Sequence, residues 1–310
     1  MTAETVTPAP TVEPIEVGDE TRPAYPSLSP SRAADFKTCP LLYRFRTIDR
    51  LPEVPSADQA RGTLVHAVLE RLFDLPPGDR TPAAAAELVE PEWRRLAEEA
   101  PELAELFGAD GEASGADELL TSAQGLLAGY FTVEDPRRLE PAERESLIEA
   151  VVDDRLLIRG YVDRLDVSPD GHLRVVDYKT GGAPREAFEA RALFQLKFYA
   201  LVLWRTRGVV PRVLRLVYLK DAEACDYAPD LEELVRFERT VLALWRAIDH
   251  ATAARDFRPK PSRLCAWCSH QERCPAFGGT PPPFPDPIPE PALEPEPAST
   301  PGVTPPHPPG

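Results

Sequence analysis

The chain has 310 residues, 43% of them hydrophobic, with 51 acidic against 35 Lys and Arg residues and a net charge of −16. That is apolar material enough for one large core, yet no apolar run approaches the roughly 20 residues of a membrane-crossing helix, and the N-terminus has acids and prolines where a secretory signal would have basic and then apolar residues. A soluble protein that is not exported is therefore expected, with the cytoplasm as the default location, and the net charge argues against a uniformly basic nucleic-acid binder.

In chain order, residues 1–24 are rich in Pro, Thr, Ala and Glu and poor in large apolar residues, so they are expected to be a disordered tail. Their net charge is −4, and the C-terminal residues 278–310 carry another −4, which leaves −8 for the middle. Ser29-Pro30 reads as an N-cap and first helical residue, with the helix running to about Cys39, before Pro40. Leu64, Val65, Val68, Leu69 and Leu72 give helical spacing over 61–73. Residues 82–130 have helical periodicity broken at 108–117, and a helical subdomain is expected over 75–135. Strands are expected at about 156–167, 173–179 and 212–220, and helices at about 187–207 and 229–254. Residues 278–310, dense in proline, are expected to be an extended, disordered acidic tail. Basic residues cluster at Arg44, Arg46 and Arg50, and again at Arg205, Arg207, Arg212 and Arg215, as local patches of the kind that can bind DNA. No phosphate-binding loop of the G-x-x-x-x-G-K-[ST] type occurs, so the chain carries no motor of that kind.

The most informative stretch is 157–181, LIRGYVDRLDVSPDGHLRVVDYKTG. Two alternating runs flank Ser168-Pro169-Asp170-Gly171, which is turn chemistry, and so a β-hairpin is predicted. Asp163 lies seven residues before Asp170 and Asp177 seven after. A symmetric antiparallel pairing sets their Cβ atoms about 5 Å apart. Like charges so placed repel unless a cation lies between them, and two carboxylates with open positions suit Mg²⁺ or Mn²⁺. Lys179 shares a face with Asp177, where an ammonium can position a water or stabilise charge on a phosphoryl transition state. An isolated Asp-x-Lys is most often a surface salt bridge; Asp163 in register changes that reading. Arg164 and Asp166 point to the other face as a structural pair.

Further candidates surround this hairpin. His66 lies on an otherwise apolar helix, where a lone histidine is more often a satisfied core residue than a ligand, although imidazole is a good third ligand for Mn²⁺. Glu70 shares its face. Gln195 and Tyr199 are four apart on the helix that follows, and both can contact a nucleic-acid backbone or base. Cys265, Cys268 and Cys274 form C-x2-C-x5-C, a metal-ligand spacing over the 257–277 segment that needs a fourth thiolate, and Cys39 is the candidate. Four thiolates hold either zinc or a four-iron four-sulfur cluster. Cys225 is expected to be an unligated thiol.

Cys39-Pro40, Gly62…His66, Gly160-Tyr161-Val162-Asp163-Arg164, Asp177-Tyr178-Lys179-Thr180-Gly181, Gln195…Tyr199 and the terminal cysteines follow one another in the order of a known family. From Ser27 to Phe277 the chain resembles a RecB-family exonuclease of the PD-(D/E)xK superfamily, the group that includes CRISPR-associated RecB-like nucleases. The resemblance implies an α/β fold, a restriction-endonuclease-like core with a central mixed sheet flanked by helices and a helical insert, as one domain over 25–277. It implies that His66, Asp163, Asp177 and the backbone carbonyl of Tyr178 bind Mg²⁺ or Mn²⁺, that Lys179 is the catalytic lysine, and that Gln195 and Tyr199 contact DNA. Glu149 would be the upstream acid of some members, with its role open. It further implies a 4Fe-4S cluster on Cys39, Cys265, Cys268 and Cys274 and action on single-stranded or frayed DNA ends in repair or recombination; a helicase or repair partner is expected because the chain carries no motor of its own. The alternative is a non-catalytic iron–sulfur DNA-binding or scaffold subunit of a repair complex.

Overall fold

A computed structural model describes residues 25–106, 113–183 and 189–286. The N-terminal segment 1–24, part of the expected helix break at 108–117 and the end of the proline-rich tail lie outside them. Among the described residues no helix is long and apolar enough to cross a membrane.

The expected hairpin is present, formed by β3 (Leu156–Val167) and β4 (Leu173–Lys179). Its turn is closed by the Ser168 N–H donating to the His172 carbonyl and the Gly171 N–H to the Ser168 carbonyl, at 2.9 and 2.8 Å. Gly171 has φ +78°, a conformation that a side chain would strain. Around this hairpin the sheet runs β1 (Ser27–Leu28), β3, β4, β5 (Val213–Tyr218) and β6 (Glu223–Tyr227), with β2 (Glu143–Val152) on the other side of β3. β4 and β5 are parallel and joined through α7 (Glu189–Arg207), as parallel neighbours require. The sheet is therefore mixed.

β1, β2 and β6 are strands that the sequence reading did not anticipate. β1 is two residues long, and β6 is a mostly exposed edge with no core alternation. In β2 the residues Glu143, Arg144, Glu145 and Glu149 mask a period-two signal that Ile148, Ala150 and Val152 carry, all three being buried.

Helices cover both faces of the sheet. On one face lie α1 (Pro30–Thr38), α2 (Pro40–Tyr43), α7 and α8 (Leu231–Ala254), which bury Leu196, Phe198 and Leu203 against Ile158, Leu165 and Val175. On the other lie α3 (Ala57–Leu72), α4 (Pro82–Glu99), α5 (Pro101–Glu105) and α6 (Ala113–Val133), with Leu64, Val68, Leu127 and Tyr130 against Val176, Tyr178 and Val217. The helices expected as an insert thus form the second layer of the core. α3 begins four residues before its first expected residue because Ser56 and Gln59 form a capping box. α6 resumes at Ala113, inside the expected break.

The body of the protein also extends past residue 277. Phe284 stacks on Phe257 with ring centroids 6.1 Å apart, Arg44 donates to the Pro282 carbonyl at 2.5 Å, and Arg255 pairs with Asp286 at 3.3 Å. The start of the expected tail is held because an aromatic ring and two guanidinium groups offset its ordering entropy.

Between the sheet and the second helical layer, Arg164 is fully buried. Its guanidinium donates to Glu134 at 2.8 and 3.1 Å and to the Tyr178 hydroxyl at 2.5 Å, and its Nε lies 3.1 Å from Asp166. Glu134 also accepts from Arg215 at 3.0 Å. Arg164 and Asp166 are indeed paired on the face away from Asp163. Removing one partner of a buried pair strands the other charge, so Glu134→Ala is expected to cost about 3–5 kcal/mol in urea unfolding. A loss below about 1 kcal/mol, the scale of a surface pair, would contradict this account.

Candidate active site

β3 changes partners along its length. Its β4 pairing ends at Arg164↔Val176, and β1 takes up the same side only at Leu157 and Ile158. Continuing the β3–β4 register one step places Asp163 opposite Asp177, as the symmetric hairpin requires, at the point where the two strands part. The Asp163 carboxylate enters that gap and accepts the Tyr178 backbone N–H at 2.7 Å. Gly160 lies farther along the split, where a Cβ would come within 2.7 Å of the Tyr199 ring and 3.3 Å of Pro30. Glycine is needed there so that α7 and α1 can close against the parted strands.

Residues from both helical layers meet at this gap. From α3, His66 Nε2–H donates to the Tyr178 carbonyl at 3.1 Å, which turns Nδ1 toward Asp163 at 3.5 Å and Glu145 at 3.4 Å. Glu145 has φ +41° and interrupts the β2–β3 ladder opposite Asp163. From α7, Gln195 Oε1 accepts from Lys179 Nζ at 3.0 Å, and Gln195 Nε2 donates to the Tyr199 hydroxyl at 2.8 Å. Lys179 Nζ lies 2.6 Å from Asp177 Oδ2. A continuous polar line therefore runs from Glu145 and His66 through Asp163 and Asp177 to Lys179, Gln195 and Tyr199.

His66, Glu145 and Asp163 each offer one ligand atom, and these atoms lie within 4.8 Å of one another. One nitrogen and two carboxylate oxygens suit Mn²⁺ and are tolerable for Mg²⁺. Asp177 borders this trio with its carboxylate turned to Lys179, because an ammonium two residues along the same strand face is the nearest counter-charge. The Tyr178 carbonyl, expected as a ligand, accepts from His66. Glu149 is not part of the site: it lies on β2, 3.8 Å from Arg159. The acid that the strand brings in is Glu145. Its only signal is positional, since it is the β2 residue in register with Asp163, and that register is legible only once β2 is recognised as a strand.

The electrostatics follow from crowding acids in a buried gap. Burial acts to lower the His66 pKa, but the carboxylates of Asp163, Glu145 and Asp177 outweigh it and lift the value from 6.5 to about 9. Burial, with the Asp163 charge, raises Asp177 to about 6 despite Lys179. Asp163 is raised as well, by burial and by Glu145. Burial pushes the Lys179 ammonium down, yet Asp177 and Asp163 more than compensate and hold it above its ordinary value. Beyond His66, a cleft of about 340 Å³ opens between α3 and Leu96 of α4, lined by Glu70 and Glu145.

The cysteines are at one end of the molecule. Cys39, between α1 and α2, lines the same pocket as Cys265, Cys268 and Cys274. Cys39 Sγ accepts the Lys260 N–H and Cys265 Sγ the Ser262 N–H, each at 3.3 Å. A side-chain chain of Asp35, Arg46, Glu53 and His270, with contacts of 2.7, 2.9 and 2.7 Å, ties α1 to this segment independently of the thiols. Cys225 lies apart, on β6.

Residues 27–275 match the PD-(D/E)XK nuclease superfamily. The Gene 69 protein of Mycobacterium phage D29 is 26% identical over 274 residues, which cover 81% of this chain and 97% of the phage protein. The Gene 69 protein of Mycobacterium phage L5 is 33% identical over 129 residues, covering 40% of this chain and 41% of that protein. A solved protein of Eubacterium rectale, described as a candidate exonuclease, shares the fold with a TM-score of 0.50 at 13% identity, over 79% of this chain and 87% of its own.

A pH dependence of stability follows from these charges. His66, raised in the folded state, contributes stability that is full below about 6.5 and is lost as pH rises through about 9. Asp177, also raised, acts with the same sign at lower pH, its contribution fading as pH rises from about 4 to about 6. The thermal midpoint of EDTA-treated protein is expected to fall across the His66 window, and His66→Gln to flatten that part of the curve. A flat profile in the wild type would refute the charge assignment.

Proposed function

The chain belongs to the PD-(D/E)XK nuclease superfamily, and from that premise we propose that it is a divalent-metal-dependent deoxyribonuclease, a RecB-like exonuclease acting in DNA repair or recombination. The observation that carries this reading is Asp163 in register with Asp177 at the parting of β3 and β4, with Lys179 on the Asp177 side and His66 and Glu145 on the other.

His66, Glu145 and Asp163 would hold Mg²⁺ or Mn²⁺, with Asp177 at the border of the site, and the ion would supply Lewis acidity toward a phosphodiester and toward water. Lys179 is an ammonium whose charged form the neighbouring Asp177 and Asp163 favour. It orients water or the scissile phosphate and neutralises charge that builds on the phosphoryl oxygens. Asp177, ion-paired with Lys179 and bordering the trio, would offer the ion a further carboxylate oxygen. Gln195 and Tyr199 index the ammonium and present polar atoms to the strand. The second helical layer fixes Tyr178 through Arg164, and the Tyr178 amide and carbonyl in turn hold Asp163 and His66.

We further propose that Cys39, Cys265, Cys268 and Cys274 bind a 4Fe-4S cluster that closes the nuclease core. Support comes from the shared pocket, which brings Cys39 to the three C-terminal cysteines, and from their C-x2-C-x5-C spacing.

End-labelled single- and double-stranded DNA with Mg²⁺ or Mn²⁺ tests the activity. Lys179→Ala and Asp177→Ala are each expected to lower cleavage by about 10²-fold or more, the scale of losing a charge-stabilising group. Equal cleavage by all three proteins would remove the assignment. Anaerobically purified wild type is expected to be coloured, and Cys268→Ala colourless and protease-sensitive. A colourless wild type binding one zinc per chain would replace the cluster with zinc.

A further inference from the structure

We propose that Arg191, Lys37 and Lys260 form a phosphate-binding track that guides a single DNA strand between the active site and the cysteine segment. The inference rests on the nuclease reading and extends it to the path of the substrate.

The track begins at the site. Tyr199, Gln195 and Arg191 succeed one another at intervals of four on α7, so they share one face of that helix. Gln195 touches Lys179, and Arg191 is exposed one turn farther from the chemistry. Beside Gln195, Phe194 presents its ring to Lys37 of α1, whose Nζ lies 3.9 Å from the ring centroid. Arg191 is within electrostatic reach of Asp35, which lies two residues from Lys37 on α1. Lys260 then follows, its Nζ donating to the Lys37 carbonyl at 3.0 Å and its backbone N–H to Cys39. The cations thus step from α7 to α1 to the segment after α8.

Charge points to the occupant. The chain carries −16, and among the described residues most arginines and lysines have a carboxylate partner. Among the described residues Arg191, Lys37 and Lys260 have none within ion-pair distance. Asp35, the acid within electrostatic reach of Arg191, is buried and engaged by Arg46 at 2.7 Å. Three exposed cations on successive segments, with no ion-pair partner among the described residues, suit the phosphates of one strand. They read charge and not sequence, as phosphate contacts do. A succession of single contacts from α7 to α1 to the segment at Lys260 suits one backbone better than the two of a duplex.

The test is equilibrium binding of a fluorescein-labelled oligothymidylate to the full chain in EDTA, by anisotropy over a series of NaCl concentrations. Each single-strand phosphate contact contributes about −0.7 to the slope of log K against log salt. The triple variant Lys37→Gln, Arg191→Gln, Lys260→Gln is therefore expected to have a slope shallower by about 2. The charge-preserving variant Lys37→Arg, Arg191→Lys, Lys260→Arg is expected to keep the wild-type slope, as is Arg94→Gln, Arg236→Gln, Arg246→Gln. The latter removes as much charge from exposed sites elsewhere. A duplex of equal length is expected to bind with a smaller difference between wild type and track variant.

An unchanged slope in the track variant, an equal loss in the control variant, or no binding by the wild type would overturn the proposal. The nuclease reading is judged separately by cleavage. A wild type that cleaves with no track-dependent slope retires the track alone, and one that binds with a track-dependent slope but never cleaves retires the catalytic reading alone.

Discussion

Two carboxylates, Asp163 and Asp177, with side chains only 9% and 2% exposed, face each other one register step beyond the last bonded pair of β3 and β4. Like charges in a low-dielectric gap are costly unless compensated, and the surroundings are arranged as compensation. A backbone N–H and an imidazole serve Asp163, and an ammonium serves Asp177. The same crowding of buried acids raises the pKa of both His66 and Asp177, and a divalent cation is the natural further counter-charge. Catalytic electrostatics and the local cost of folding are thus one feature of the molecule seen from two sides.

That gap exists because β3 is longer than its neighbours on one side. β4 leaves it after Arg164 and β1 joins it only at Ile158. The space between is filled by Tyr199 and Pro30 against Gly160, so α7 and α1 close the split. From the opposite layer, α3 delivers His66, while Arg164 and Glu134 lock Tyr178 from below. The site is therefore where the two helical layers meet through the sheet. Tyr178 is its pivot, with the amide on Asp163, the carbonyl on His66 and the hydroxyl on Arg164.

The acidity of the chain acquires meaning in this setting. Many of its basic groups are spent on internal pairs, as Arg164, Arg174 and Arg215 are on Glu134, Asp166 and Asp226. A net charge of this sign repels polyanions, so cations beside the site with no ion-pair partner among the described residues would carry more directional weight than a general basic surface.

The sequence by itself determined what is local or periodic. The symmetric spacing of Asp163 and Asp177 about a Ser-Pro-Asp-Gly turn set the register, because a two-residue side-chain period leaves no freedom once the turn is fixed. The Asp177–Lys179 pair and the faces of α3 and α7 were legible for the same reason, and so was the Arg164–Asp166 pair. Glu145 was not, since its strand hides its apolar alternation under charge, and its role comes from a partner strand, from a left-handed backbone and from a histidine 79 residues away. Nor was the docking of Phe284 on Phe257, which depends on a surface built by α2 and α8. Tertiary structure decided which acid joins the trio and that Asp177 turns to Lys179, because those outcomes depend on distances between segments that no local pattern encodes.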